Sequence, residues 1–172
     1  LRVLQKRYSA QDLIRLFVFC AFPIHVWAII IMFRSVPAWL FYMSQSDFIA
    51  SIAYHLTFTI FETLLAFAIL LAMGFLIPRR WTPEPFLTLS SVLIVELSIM
   101  AIVFQQLVLQ YASLRWMAVS CLIILAASLF IIPKIPKLQQ ITSILAERLT
   151  ILTFLYVFFD VIGVIIVILR NL

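Results

Sequence analysis

Charge is what this chain most lacks. Of its 172 residues 11% are Asp, Glu, Lys or Arg and 66% are hydrophobic, whereas soluble domains carry about a quarter charged residues. That deficit excludes an ordinary soluble domain and leaves a polytopic membrane protein, in which each crossing takes ~20 apolar residues. Glycine is nearly as scarce: Gly74 and Gly163 are the two in the chain, so the glycine-rich loops that cradle phosphates are excluded. There is no His-Glu-x-x-His and no Gly-x-Ser-x-Gly, and the sequence gives no reason to expect an enzyme. Cys20 and Cys121 lie inside apolar runs expected near opposite faces of the bilayer, so no disulfide is expected and no redox compartment can be read from them. The net charge of +5 comes from basic residues set singly or in pairs between apolar runs. No basic stripe exists, and nucleic acid is not an expected partner.

What the chain has in abundance is apolar sequence of membrane-spanning length. The pattern predicts one all-α membrane domain over residues 1–172, with five transmembrane helices at about 13–33, 51–77, 86–110, 116–132 and 149–169. The first run has no small-residue cleavage site and more spans follow it, so it reads as an anchor rather than a removable signal. Leu1 is not Met, which leaves room for a preceding tail.

Ser9 followed three residues later by Asp12 reads as a capping box opening helix 1. Pro23 deprives the Phe19 carbonyl of its usual donor two residues before His25 and predicts a kink there. Residues 34–48, with Pro37, Trp39 and Tyr42 among short polar residues, suit an interfacial segment at headgroup level. Ser46 or Asp47 can cap helix 2, and Pro78 ends it. Thr82 before Pro83 reads as the start of helix 3. Ser113 is expected to cap helix 4, which has no ionisable group and is the best candidate for lipid exposure. Leu138, Ile141, Ile144, Leu145 and Leu149 recur at helical spacing as an amphipathic segment that continues into helix 5.

Lys and Arg fall mostly on one side. Arg2, Lys6, Arg7, Arg15, Arg79, Arg80, Lys134, Lys137 and Arg148 lie on one face, against Arg34, Arg115 and Arg170 on the other. The positive-inside rule then puts the N terminus in the cytoplasm and, with five spans, the C terminus outside, in a cell or inner membrane.

Three spans carry a single acid near their middles. At ~1.5 Å per residue, Glu62 lies ~17 Å into its helix, Glu96 ~15 Å, and Asp160 and His25 ~17 to 18 Å into theirs. All four therefore sit near the midplane of a hydrocarbon core ~30 Å thick, and His55 lies ~6 Å inside its outer boundary. Along helix 2, His55, Thr59, Glu62 and Thr63 are read as one inward face. In helix 5, Thr153, Tyr156, Asp160 and Gly163 share a face. Each central acid costs roughly 2.5 to 3.5 kcal/mol on insertion scales, and no Lys or Arg is at hand to neutralise it.

One expectation is a proton- or cation-binding site in which Glu62 and Asp160 are the principal carboxylates, Glu96 a third, and His25 and His55 ligands or relays. It implies proton or cation transport through alternating protonation. The alternative is a non-catalytic accessory or structural subunit, in which each acid is neutral and hydrogen-bonded across a helix interface for ~1 to 2 kcal/mol. The expected surroundings are the lipid bilayer and, for the second reading above all, other membrane subunits or further copies of the chain. No cofactor or metal is expected. The two histidines could also ligate a haem- or chlorophyll-type ring, but their depths differ and no attachment motif is present, which makes a coloured protein the weakest of the three readings.

Overall fold

Ser9 opens the first helix as its spacing from Asp12 predicts. The Asp12 N–H donates to Ser9 Oγ at 3.1 Å, and the Ser9 N–H returns a bond to the Asp12 carboxylate at 2.8 Å. In the computed structural model, which describes residues 8–76, 83–108 and 114–172, this cap begins α1 (Ala10–Tyr42). The helix passes through both Pro23 and Pro37. At 33 residues it is ~50 Å long.

Residues 34–42 are therefore not a separate interfacial segment but the continuation of α1, and Phe48 already belongs to the next helix. The chain turns only at Met43, whose extended backbone (φ −114°, ψ 151°) lets its N–H close on the Trp39 carbonyl. Trp39 and Phe48 pack edge to face across that turn, with ring centroids 6.3 Å apart. A proline removes one donor from a helix, but the helix survives where neighbours hold it.

Ser44, rather than Ser46 or Asp47, caps α2 (Gln45–Leu76): its hydroxyl accepts from the Asp47 N–H at 3.2 Å. Then come α3 (Pro83–Val108), α4 (Leu114–Ile131), a 3-10 turn at Ile132–Lys134, and α5 (Pro136–Asn171). The amphipathic stretch at 138–149 is continuous with α5, as expected. The expected caps at Thr82 and Ser113, and the ends of helices 2 and 3 at residues 77 and 109–110, lie outside the described residues. No strand occurs among the described residues.

Contacts at the helix ends fix the directions. At one end Arg15 reaches Glu84 at 3.4 Å, and the Tyr8 hydroxyl donates to the Gly74 carbonyl at 3.3 Å. At the other, Arg170 binds Asp47 at 2.8 Å and Asn171 donates to the Tyr54 hydroxyl at 2.8 Å. Hence α1, α3 and α5 run one way and α2 the other. Helix α1 packs against α2, α3 and α5, and α5 lies along α2. Helix α4 leans mainly on α3 and turns Trp116, Leu122 and Phe130 outward.

Four helices, α1, α2, α3 and α5, are long and apolar enough to cross a membrane. Between such helices lipid tails are as apolar as Leu, so close packing and hydrogen bonds hold the bundle together rather than burial from water. Gly163 lets α5 approach α2 closely: a Cβ added there would lie 2.9 Å from Leu56 Cβ and 3.0 Å from the Ala53 carbonyl oxygen. Gly163→Ala is expected to push the two helices apart and to cost ~1 to 3 kcal/mol. Thermal unfolding in mild detergent checks this, and an unchanged melting temperature would show that the seam has slack.

Candidate functional site

The residues read as one site do not share one chamber. His25 and Asp160 come together at the α1–α5 seam, His55 lies close by, and Glu62 and Glu96 go elsewhere.

His25 is fixed on three sides. Its Nδ1 lies 2.7 Å from the Ala21 carbonyl, its Nε2 lies 2.8 Å from Asp160 Oδ2, and the Tyr156 ring stacks on it at 4.8 Å with planes 7° apart. Tyr156 stands one turn before Asp160 on α5, so a single helix face supplies both the partner for the ring edge and the cover for the ring plane. The Phe19 carbonyl freed by Pro23 is not the one engaged. His25 is 2% exposed and Asp160 0%, so neither charge could stand there alone.

The hydrogen bonds decide how many protons the pair holds. A carbonyl only accepts, so Nδ1 must carry a hydrogen for Ala21. The bond between Nε2 and Oδ2 then needs one further proton, which resides on His25 as an imidazolium facing a carboxylate or on Asp160 as an acid facing a neutral ring. Both forms are neutral overall. Removing that proton leaves a carboxylate oxygen and a nitrogen lone pair 2.8 Å apart, two acceptors that repel, so the contact as built holds only while the proton is there. Asp160 Oδ1 is also buried and, among the described residues, has no hydrogen-bond partner.

Beside the pair lies a cavity of about 280 Å³ between α1, α2 and α5. Ile29, Met32, Ile52, Leu56 and Phe159 line it, and the His25 and Tyr156 rings form part of its wall. His55 stands next along the seam, with Nε2 3.1 Å from the Ala28 carbonyl, and ties α2 to α1 as a structural contact would.

The polar row of α2 is not wholly inward. Thr59 and Thr63 are buried, each donating to the carbonyl four residues back at 2.8 and 2.9 Å. Glu62 is exposed. At 100° per residue the inward direction bisects Thr59 and Thr63, which leaves Glu62 about 80° away, on the outer flank. Glu96 instead meets α4, where Ser128 Oγ donates to Oε1 at 2.5 Å. Among the described residues no group of three or more His, Cys, Asp or Glu could hold a metal ion.

Two participants were not singled out from the sequence as site residues. Tyr156 was visible as a member of the Asp160 face, four residues before the acid, which is the spacing that should have marked it. Ser128 carried no signal, since a lone serine in an apolar helix has many reasons to be there.

Compared with protein-family models, curated proteins and solved structures, the chain matches none.

Proposed function

We propose that this is a non-enzymatic, multi-pass membrane protein that moves protons or cations, with the His25–Asp160 pair as its ion-binding centre. The reading takes α4, 18 residues long and so ~27 Å, as a fifth crossing. It puts the Arg15–Glu84 end in the cytoplasm, by the excess of Lys and Arg there. The observation that carries it is the pair itself: two ionisable side chains from different helices, near the middle of each apolar run, sharing one proton and leaving one carboxylate oxygen unused. Arg15 and Arg34 bracket the apolar stretch 16–33 about His25, and Arg148 and Arg170 bracket 149–169 about Asp160, so both sit at mid-depth. Intramembrane ionisable residues commonly mark ion paths and proton relays. Because the bond breaks when the proton leaves, proton release is coupled to movement of α1 against α5. Protein reconstituted into vesicles should therefore support flux that follows a pH gradient, and loss of that flux in Asp160→Asn tests the assignment.

A second reading has its own observation. Glu62, exposed at the middle of α2, is costly against lipid and would be covered in a larger complex, as an accessory or bracing subunit requires. Purification in mild detergent is expected to retain a stoichiometric partner under that reading, and a clean single chain with full flux activity would reject it.

A further inference from the structure

Helices α3 and α4 flank a second cavity, of about 480 Å³, that is open along one side, where Ile99, Val103 and Trp116 are exposed, and that shares no lining residue with the cavity beside the His25–Asp160 pair. Glu96 stands in its wall, and Met100, Val103, Phe104, Trp116 and Cys121 supply most of the rest. The volume lies within the ~300 to 1,000 Å³ usual for small-molecule sites, which pair an apolar lining with few polar anchors. Glu96 is such an anchor. Its Oε1 accepts from Ser128, while its Oε2 is buried and, among the described residues, has no partner. A lipid tail filling the cavity would offer that oxygen nothing. A headgroup could not reach it, since Glu96 lies near the middle of α3, thirteen residues from Pro83 and twelve from Val108, ~18 to 20 Å from either.

We propose that this cavity binds a lipophilic primary amine in its ammonium form. The N–H donors would meet Glu96 Oε2 and neutralise the carboxylate, and the tail would run along Met100 and Val103 toward Phe104 and Trp116. Phe104 is eight residues beyond Glu96, ~12 Å along the helix, so the site takes an elongated amphiphile rather than a compact ion. An ammonium fits better than a hydroxyl because a charge-assisted bond is roughly twice as strong as a neutral one and removes the isolated charge as well. The site is independent of the proton-sharing pair and stands or falls without it.

The test uses the full chain in lipid nanodiscs, a decylamine carrying a photoreactive diazirine on its tail, and the alcohol of the same skeleton. After illumination, cross-links are mapped by mass spectrometry. The amine is expected to label the α3–α4 cavity on the order of tenfold more than the alcohol, the span of one decade of affinity. Excess unlabelled decylamine should remove that difference. Equal labelling by the two probes, or labelling spread over all outward faces, would overturn the proposal. Glu96→Gln should bring the amine down to the level of the alcohol, and a preference that survives it would also overturn the assignment. The contrast between probes is read on the unsubstituted chain, so a Glu96→Gln protein that fails to fold does not suspend the test. Val103→Phe, which crowds the tail region and keeps the carboxyl, then serves as the variant expected to lose amine labelling, and its retention would count against the site.

Discussion

Replacing Asp160 by Asn is expected to lower pH-driven flux in reconstituted vesicles by at least about tenfold, because an intramembrane relay loses its titratable group, while the bundle stays folded. The two halves of this result rest on the same hydrogen bond. An Asn amide N–H can donate to His25 Nε2 as a protonated Asp160 does, so the contact at 2.8 Å and the stacking of Tyr156 survive, and the change in stability should stay within the ~1 kcal/mol of a single exchanged hydrogen bond. What the amide cannot do is take and give a proton. In the unsubstituted chain the shared proton has two positions and can leave when α1 and α5 part. With Asn it is locked in the amide, and the imidazole keeps one fixed tautomer, its Nδ1–H still directed to Ala21. The measurements are the internal pH of vesicles after an external pH step, and the melting temperature of the same preparations. Flux equal to that of the unsubstituted protein, at equal incorporation, would reduce the pair to a helix clamp.

Much of this geometry was legible in the sequence, and the parts that were not share a cause. Helix positions follow from local rules: the Ser9–Asp12 box appears as spaced, and rise per residue alone put His25 and Asp160 at matching distances along their helices, where they meet. Which way a side chain turns is a different matter. His55, Thr59, Glu62 and Thr63 cover an arc of about 100° on α2, wide enough that the neighbours decide which edge is buried. Here α1 and α5 take Thr59 and Thr63, and Glu62 is left outside. The prolines misled for a related reason. Pro37 among short polar residues reads as an end to helix 1, yet α1 persists to Tyr42 because Trp39 has a partner in Phe48 that only the folded hairpin provides. Glu96 shows the same limit, since its partner Ser128 lies on the one helix that was marked by having no ionisable group.

A second substitution series separates structure from function at the pair. His25→Phe alone and Asp160→Leu alone are each expected to destabilise the bundle by ~1 to 3 kcal/mol, the cost of one buried polar group left without a partner. The larger loss of ~3 to 5 kcal/mol typical of a broken buried ion pair is not expected. Each survivor can become neutral: Asp160 keeps the shared proton as an acid, and His25 gives it up and retains its bond to Ala21. Combining the two substitutions removes both polar groups and fills the seam with apolar volume under Tyr156, and such exchanges are often neutral or stabilising. The double variant should therefore unfold no more readily than the unsubstituted protein, well short of the summed losses of the singles. Unfolding in mild detergent, followed by loss of helical circular dichroism, gives all four values needed for the cycle. A stable double variant without flux would mean that the chain carries a buried acid and base which its fold can do without, the pattern expected where the proton itself is the purpose. A double variant as unstable as the worse single would make the pair the centre that holds α1 to α5, and would favour the bracing role that the outward Glu62 suggests.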